Sequence, residues 1–165
     1  MQLLTKNIMS ILLCGLVLTG CAPAYTNQGV NSVAESLPMT EVDTGNRLMS
    51  ICNSVISSSA MLSSSLMKYT QELVDSTVQD KETLIQYIVL HIDTVKDAYA
   101  DLNAMRPAQS HEQRTMDIKT TLKNLEENLR LLQKAVEEDN FEEIATYYDI
   151  IEDNWNTLKT LSVGM

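Results

Sequence analysis

Glycine and proline, the two residues that most readily interrupt a helix, are scarce in this sequence. Its 165 residues contain five glycines and three prolines. No glycine lies between Gly45 and Gly164, and Pro107 is the only proline after Pro38. The chain beyond Gly45 can therefore form long helices, with one break expected near Pro107.

Positive charge is also scarce. The chain has 12 Lys and Arg against 22 Asp and Glu, which gives a net charge of −10. An acidic surface repels the phosphates of nucleic acids and anionic lipid headgroups. The composition therefore predicts no nucleic-acid partner, and any contact with a membrane must have a source other than a basic patch.

Cysteine is limited to Cys14, Cys21 and Cys52, without a CxxC pair or a CxxCH motif. This spacing excludes thioredoxin-like redox chemistry and c-type haem attachment. Cys52 lies on an apolar stripe described below. Burial as an inert core residue is therefore favoured over a reactive thiol.

Residues 1–20 have the pattern of an export signal. Lys6 lies near the start, and the apolar run from Ile8 to Leu18 is too short to cross a bilayer comfortably. A secretory signal cut after Ala22-Pro23-Ala24 would release the protein and discard Cys21. A retained membrane helix is a third possibility, although the short run and the missing stop-transfer flank argue against it.

The four residues Leu18, Thr19, Gly20 and Cys21 resemble the lipobox of bacterial lipoproteins. The resemblance implies a diacylglyceryl thioether on Cys21, cleavage between Gly20 and Cys21, and often acylation of the new amino terminus. It also implies anchoring on the extracytoplasmic face of the cell membrane, since two or three acyl chains suffice for stable attachment. Ala22 after the lipid site would suit sorting to an outer membrane, by resemblance to lipoproteins of diderm bacteria.

The remaining chain divides into a spacer and one domain. Residues 21–43 comprise the lipid-attachment residue and an aperiodic, polar tether, and residues 44–165 are long enough for one compact domain. Beyond Cys21 the sequence resembles, in general style only, the small helical ectodomains of bacterial lipoproteins of unassigned function.

Four segments of the domain have helical periodicity, at about 45–77, 80–104, 111–138 and 141–161. Their predicted apolar stripes are, in order, Leu48, Cys52, Val55, Ser59, Leu62, Leu66, Tyr69 and Leu73; Ile85, Ile88, Ile92, Val95, Tyr99 and Leu102; Ile118, Leu122, Leu125, Leu129, Leu132 and Val136; and Phe141, Ile144, Tyr148, Ile151, Trp155 and Leu158. Ser59 is a small polar residue within the first stripe, where it fills less of the core than its apolar neighbours. The other serines at 57–58 and 63–65 are predicted to face water.

These stripes predict an all-α fold, specifically an antiparallel four-helix up-down bundle. Asp80 can cap a second helix, and Asp139-Asn140 provides a turn and an N-cap before the fourth. No glycine or proline enforces a turn between Asp75 and Lys81. The alternative is therefore a three-helix arrangement in which the first two helices are continuous.

Residues for catalysis or metal binding are not found in recognisable patterns. The chain has no Glu-x-x-His motif and no acidic residue on the stripes, which excludes a ferritin-like di-iron site. His91 is predicted to lie about 21 Å down the second helix from the loop, at ~1.5 Å per residue, whereas His111 lies at the loop itself. The two histidines therefore cannot share a metal within one chain, and neither is expected to have a chemical role. The acidic segment 137–143 could suggest calcium, but it lacks the EF-hand spacing, and first-turn acids stabilise the helix dipole.

The sequence therefore predicts a non-catalytic protein with no cofactor and no metal. Cys21, the lipid-attachment residue, is its only predicted functional site. The favoured function is a lipid-anchored module that binds or steadies another protein of the cell envelope. The alternative is a bundle that binds a small ligand or a metal, with its core open between the first two helices near Cys52 and Ser59.

Overall fold

The computed structural model describes residues 37–75 and 80–163, except for the side chains of Leu73 and Val74. Residues 1–36 lie outside the described part. They include the predicted signal peptide, Cys21 and most of the tether.

The described residues are all-α, as predicted. They form α1 (Glu41–Val74), α2 (Lys81–Ala104), α3 (Glu112–Glu137) and α4 (Phe141–Ser162), with a short 3₁₀ helix (Gln109–His111) before α3. α1 and α2 are separate helices, so the alternative in which they form one continuous helix is wrong.

Helix α1 begins four residues earlier than expected because Thr40 caps it. The Thr40 Oγ1 accepts a hydrogen bond from the Asp43 backbone N–H at 3.1 Å and donates to the Asp43 carboxylate at 2.6 Å. Gly45 consequently lies inside α1 rather than at its start. At α2 the predicted cap is confirmed, since Asp80 accepts from the Thr83 N–H at 3.1 Å. Hydrogen bonds from the side chain and then the backbone of Thr83 lower the pKa of Asp80.

One hydrophobic core includes side chains from all four helices. The six predicted stripe residues of α3 are all fully buried, and the described stripe residues of α1 are buried apart from Ser59, which is partly exposed. The apolar periodicity of these two helices therefore identified their core faces.

The buried face of α2 is rotated relative to the prediction. Leu84, His91 and Ala98 are buried, whereas Ile85 and Tyr99 are only partly buried. Both sets of residues have steps of three and four, so periodicity alone does not separate them. The rotation is possible because the His91 ring finds hydrogen-bond partners in the core.

On α4 the stripe prediction fails at the start of the helix and holds only in part at Tyr148, which is partly buried. Phe141 is 50% exposed, while Ile144, Ile151, Trp155 and Leu158 are buried. Phe141 is the first residue of α4 and lies at the edge of the core, where no described neighbour covers it fully.

Contacts between helices follow chain order, since α1 contacts α2, α2 contacts α3 and α3 contacts α4. α1 also contacts α4, and this fourth interface is the thinnest. The segment before α1 lies against the loop around Pro107. There the Met39 N–H donates to the Arg106 carbonyl at 3.0 Å. In the first turn of α1, the buried Thr44 Oγ1 accepts from the Ala108 N–H at 3.0 Å.

The turn between α3 and α4 has a left-handed residue, Asp139, at φ 55°. Its N–H donates to the Val136 carbonyl at 3.3 Å, and the Asn140 N–H donates to the Ala135 carbonyl at 2.9 Å. This is the Schellman pattern that ends many helices, in which the left-handed position is usually glycine. Asn140 then caps α4, as predicted, by accepting from the Glu143 N–H at 3.3 Å.

The Asp139 side chain explains why a residue other than glycine occupies this position. Its carboxylate accepts from the Lys81 Nζ at 2.9 Å and from the Tyr69 hydroxyl at 3.3 Å, while Lys81 also donates to the Glu137 carbonyl at 2.7 Å. The hydrogen bond from Lys81 lowers the pKa of Asp139. The turn is thereby linked to the end of α1 and the start of α2.

We expect Asp139→Gly to be more stable than Asp139→Ala by about 1 kcal/mol, because alanine has a Cβ clash in the left-handed region and glycine does not. Both substitutions remove the carboxylate, so their difference isolates the backbone effect. Urea unfolding followed by circular dichroism measures it. Equal midpoints with equal slopes would contradict the assignment of a left-handed conformation to this position.

Candidate interaction groove

A groove of about 580 Å³ lies between the C-terminal part of α1 and the N-terminal half of α4. Its walls are formed by Leu66, Met67 and Thr70 from α1, and by Phe141, Ile144, Ala145, Tyr148 and Asp149 from α4. It follows the thinnest helix interface, and the small Ala145 and Thr70 side chains leave its space unfilled.

The groove has a buried floor and exposed apolar rims. Leu66 and Ile144 are 5% and 3% exposed, whereas Met67 is 70% exposed and Phe141 is 50% exposed. Large apolar side chains that stand open on both sides of a cleft are more typical of a binding surface than of scattered surface residues.

The charge around the groove is negative. Asp149 is the only charged residue in its walls, and Glu142 and Glu152 lie on the same face of α4 at helical spacing from Ala145 and Asp149. All three carboxylates are exposed. Within residues 37–75 and 80–163, no lysine or arginine forms an ion pair with any of them.

Between α1 and α2 the structure has two smaller and more polar depressions, of about 330 and 450 Å³. Neither of them is lined by Cys52 or Ser59, where the alternative prediction expected the core to open. Cys52 is fully buried, and the Ser59 hydroxyl donates to the Ile56 carbonyl at 2.7 Å. Neither of these depressions provides the expected opening at Cys52 and Ser59, and the apolar groove lies one interface away.

A polar chain crosses the core beside the groove and joins three helices. His91 of α2 is 1% exposed. Its Nδ1 lies 2.5 Å from the Ser58 Oγ of α1, and its Nε2 accepts from the Trp155 indole N–H of α4 at 3.0 Å. The Trp155 ring also makes T-shaped contacts with the rings of His91 and Tyr148, whose centroids are 5.5 and 6.0 Å away. Tyr148 in turn lines the groove.

The hydrogen-bond partners define the tautomer of His91. The indole N–H of Trp155 can only donate, so Nε2 must be the unprotonated nitrogen. Nδ1 then holds the proton and donates to the Ser58 Oγ, whose own hydroxyl donates to the Val55 carbonyl at 2.8 Å. The neutral ring therefore has both nitrogens satisfied. Burial lowers the pKa of His91 from 6.5 to about 4, because the charged ring would lose its hydration.

This network limits the stability of the domain in acid. The His91 pKa is near 6.5 in the unfolded chain and about 4 in the folded one, so the unfolded chain binds more protons between these values. The stabilisation from neutral His91 is complete above pH 6.5 and decreases as the pH falls to about 4. At ~1.4 kcal/mol per pKa unit, the total loss is about 3 kcal/mol.

We therefore expect the free energy of unfolding to fall by about 3 kcal/mol more in the native protein than in His91→Gln when the pH is lowered through this window. His111→Gln is the matched control and should retain the native slope. Urea unfolding at several pH values gives the three slopes. Parallel slopes for the native protein and His91→Gln would contradict the neutral, buried assignment.

Cys52 is buried in the core, as predicted, with no exposed surface. Burial raises the pKa of its thiol to about 11, and the more distant charge of Arg114 offsets this only in part. The thiolate that reacts with oxidants and metals is therefore strongly disfavoured in the folded protein.

The other candidates for chemistry are not brought together. His91 lies in the core, while His111 ends the 3₁₀ helix before α3. In the acidic segment 137–143, Asp139 pairs with Lys81, Asn140 caps α4, and Glu142 and Glu143 lie in its first turn. Among the described residues, no three His, Cys, Asp or Glu side chains are grouped so that they could hold a metal ion.

Sequence reasoning missed the His91 network. His91 was expected to have no chemical role and Ser58 to face water, although Ser58 is partly buried and hydrogen-bonded to His91. The available signal was that positions 84, 88, 91, 95, 98 and 102 form as regular a stripe as the predicted one, with His91 at its centre.

None of the described helices is both long enough and apolar enough to span a bilayer. Cys21, the predicted lipid-attachment residue, lies outside the described residues. No protein-family model, curated protein or solved structure matches this chain.

Proposed function

We propose that this protein is a lipid-anchored, non-catalytic interaction module on the extracytoplasmic face of the cell membrane, or of an outer membrane in a diderm cell. Cys21 carries the lipid, the tether holds the helical domain away from the bilayer, and the domain binds another envelope protein. The anchor is supported by the lipobox-like residues Leu18, Thr19 and Gly20 before Cys21.

For the domain, we propose an antiparallel, up-down arrangement of the four helices. Three side-chain pairs between α1 and α2 support it, because they occur in opposite order along the two helices: Arg47 with Asp101, Ser58 with His91, and Lys68 with Asp80. The short turn between Glu137 and Phe141 likewise favours an antiparallel α3–α4 pair.

The observation that carries the interaction function is the apolar groove between α1 and α4. Its exposed rim residues, Met67 and Phe141, have the character of interface anchors, since binding energy at interfaces is concentrated in aromatic and other large side chains. A non-catalytic function agrees with the contacts of His91. This buried side chain is hydrogen-bonded at both ring nitrogens, so neither nitrogen is open to a substrate.

The groove also supports a second candidate, a small apolar ligand. Its volume of about 580 Å³ is in the range of ligand pockets, ~300–1,000 Å³, and its walls are mostly apolar. The same cleft would then serve as a binding site for a molecule rather than for a protein segment.

The anchor is tested by metabolic labelling with an alkyne-bearing fatty acid. We expect the native protein to be labelled and to fractionate with membranes, and Cys21→Ser to lose both the label and the processed form, because the thioether has no sulfur to form on. Cys52→Ser is the matched control and should be labelled like the native protein. Unchanged labelling of Cys21→Ser would refute the anchor.

The interaction is tested by crosslinking in cells, followed by mass spectrometry of the full lipidated chain. Ala145→Phe fills the groove, whereas Thr146→Phe, one residue along α4, adds the same ring outside the groove walls. We expect crosslinks to a dominant partner to fall at least about fivefold with Ala145→Phe and to persist with Thr146→Phe. Equal crosslinking by the two variants would show that the interaction does not use the groove.

A further inference from the structure

We propose that the groove between α1 and α4 binds an amphipathic α-helix of a partner polypeptide, one that carries Lys or Arg beside its apolar face. This inference rests on the proposed interaction function and identifies the chemistry of the partner.

Charge complementarity is the first argument. One edge of the groove is the acidic face of α4, formed by Glu142, Asp149 and Glu152, and the α1 wall has no charged residue. A segment that fills the groove places its own flank against these carboxylates. Lys or Arg at that flank gains three exposed partners that no described basic residue uses, whereas Asp or Glu would be repelled.

The rims of the groove favour a polypeptide over a small molecule. A small ligand is usually enclosed on most of its surface. Here Met67 and Phe141 remain largely open on opposite sides of the cleft, so the apolar surface extends beyond the cavity. Methionine also adapts its shape to partner helices, which is why it recurs in grooves that bind them.

The dimensions of the groove suit a short helical contact. Its α4 wall runs from Phe141 to Asp149, about 12 Å at ~1.5 Å per residue, or two helical turns. A partner helix lying there would present apolar residues at positions i, i+3 or i+4, and i+7, with basic residues one position away from this stripe.

A second copy of this chain suits the groove poorly as its occupant. Each chain has a net charge of −10, so docking one copy on the acidic edge of another brings like charges together.

The single tryptophan of the chain provides a reporter for occupancy. Trp155 is 4% exposed and contacts the ring of Tyr148, which lines the groove. A helix bound against Tyr148 alters the surroundings of Trp155, so its emission should shift when a peptide without tryptophan binds.

The experiment uses the full chain carrying Cys21→Ser, solubilised in a mild detergent because the uncleaved apolar segment is retained, and two fluorescein-labelled helical peptides that lack tryptophan. Both peptides have the same leucine stripe at i, i+3, i+4 and i+7. One has lysines beside the stripe, and the other has glutamates at the same positions. Fluorescence anisotropy gives the dissociation constants, and Trp155 emission reports binding at the groove.

We expect the lysine peptide to bind at least about tenfold more tightly than the glutamate peptide, with an affinity that falls as salt increases. Asp149→Lys should weaken its binding about five- to tenfold, and Ala145→Phe should reduce it at least tenfold. Glu127→Lys makes the same charge reversal at an exposed position of α3 and should change binding less than about twofold.

Three results would overturn the inference. Equal binding of the two peptides would show that the groove does not select its partner by charge. Binding of an apolar dye that Ala145→Phe abolishes, without binding of either peptide, would assign the groove to a small ligand. Concentration-dependent dimers in sedimentation, lost in Ala145→Phe, would assign it to a second copy of the chain.

The proposed function and this inference fail separately. If neither peptide binds but Ala145→Phe still reduces crosslinking in cells, the interaction module stands and its partner is not a basic helix. If Ala145→Phe changes neither peptide binding nor crosslinking, both proposals fail.

Discussion

Burial of the apolar stripes of α1 to α4 against one another is the interaction on which the rest of this domain depends. It decides which face of each helix turns inward. Any polar group on an inward face must then find its partners inside the core, as His91 does. Apolar residues that lie beyond the reach of the core, such as Met67 and Phe141, remain at the surface and form the groove.

The polar chain through His91 adds directional contacts to a core that is otherwise non-directional. Its partners Ser58 and Trp155 lie on two other helices, so a sliding or rotation of α1, α2 or α4 would leave a buried polar group unsatisfied. An apolar side chain at this position would tolerate such displacements. The network therefore favours one alignment of the three helices over neighbouring ones.

Much of the fold could be predicted because its signals are local. The α3 stripe, the break near Pro107 and the caps at Asp80 and Asn140 each depend on residues within a few turns of one another. The candidate functional features depend on distant residues. Ser58 and His91 are 33 positions apart, and His91 and Trp155 are 64 apart, so no periodicity links them. The groove likewise depends on how α1 and α4 pack against each other, and this cannot be read from composition or periodicity.

The lengths of the helices have a consequence for local stability. α1 has 34 residues and α2 has 24, and the first residues of α2 lie opposite Lys68. The last residues of α1 therefore lie beyond the first turn of α2, where Glu72 still accepts from the Asp80 N–H at 3.0 Å and the Tyr69 hydroxyl donates to Asp139 at 3.3 Å. Segments with fewer packed neighbours open at a lower free energy than the core. Backbone amides near Thr70, one turn from the end of α1, should accordingly exchange with solvent sooner than those near the buried Leu62, so the order of one groove wall depends in part on what lies against it.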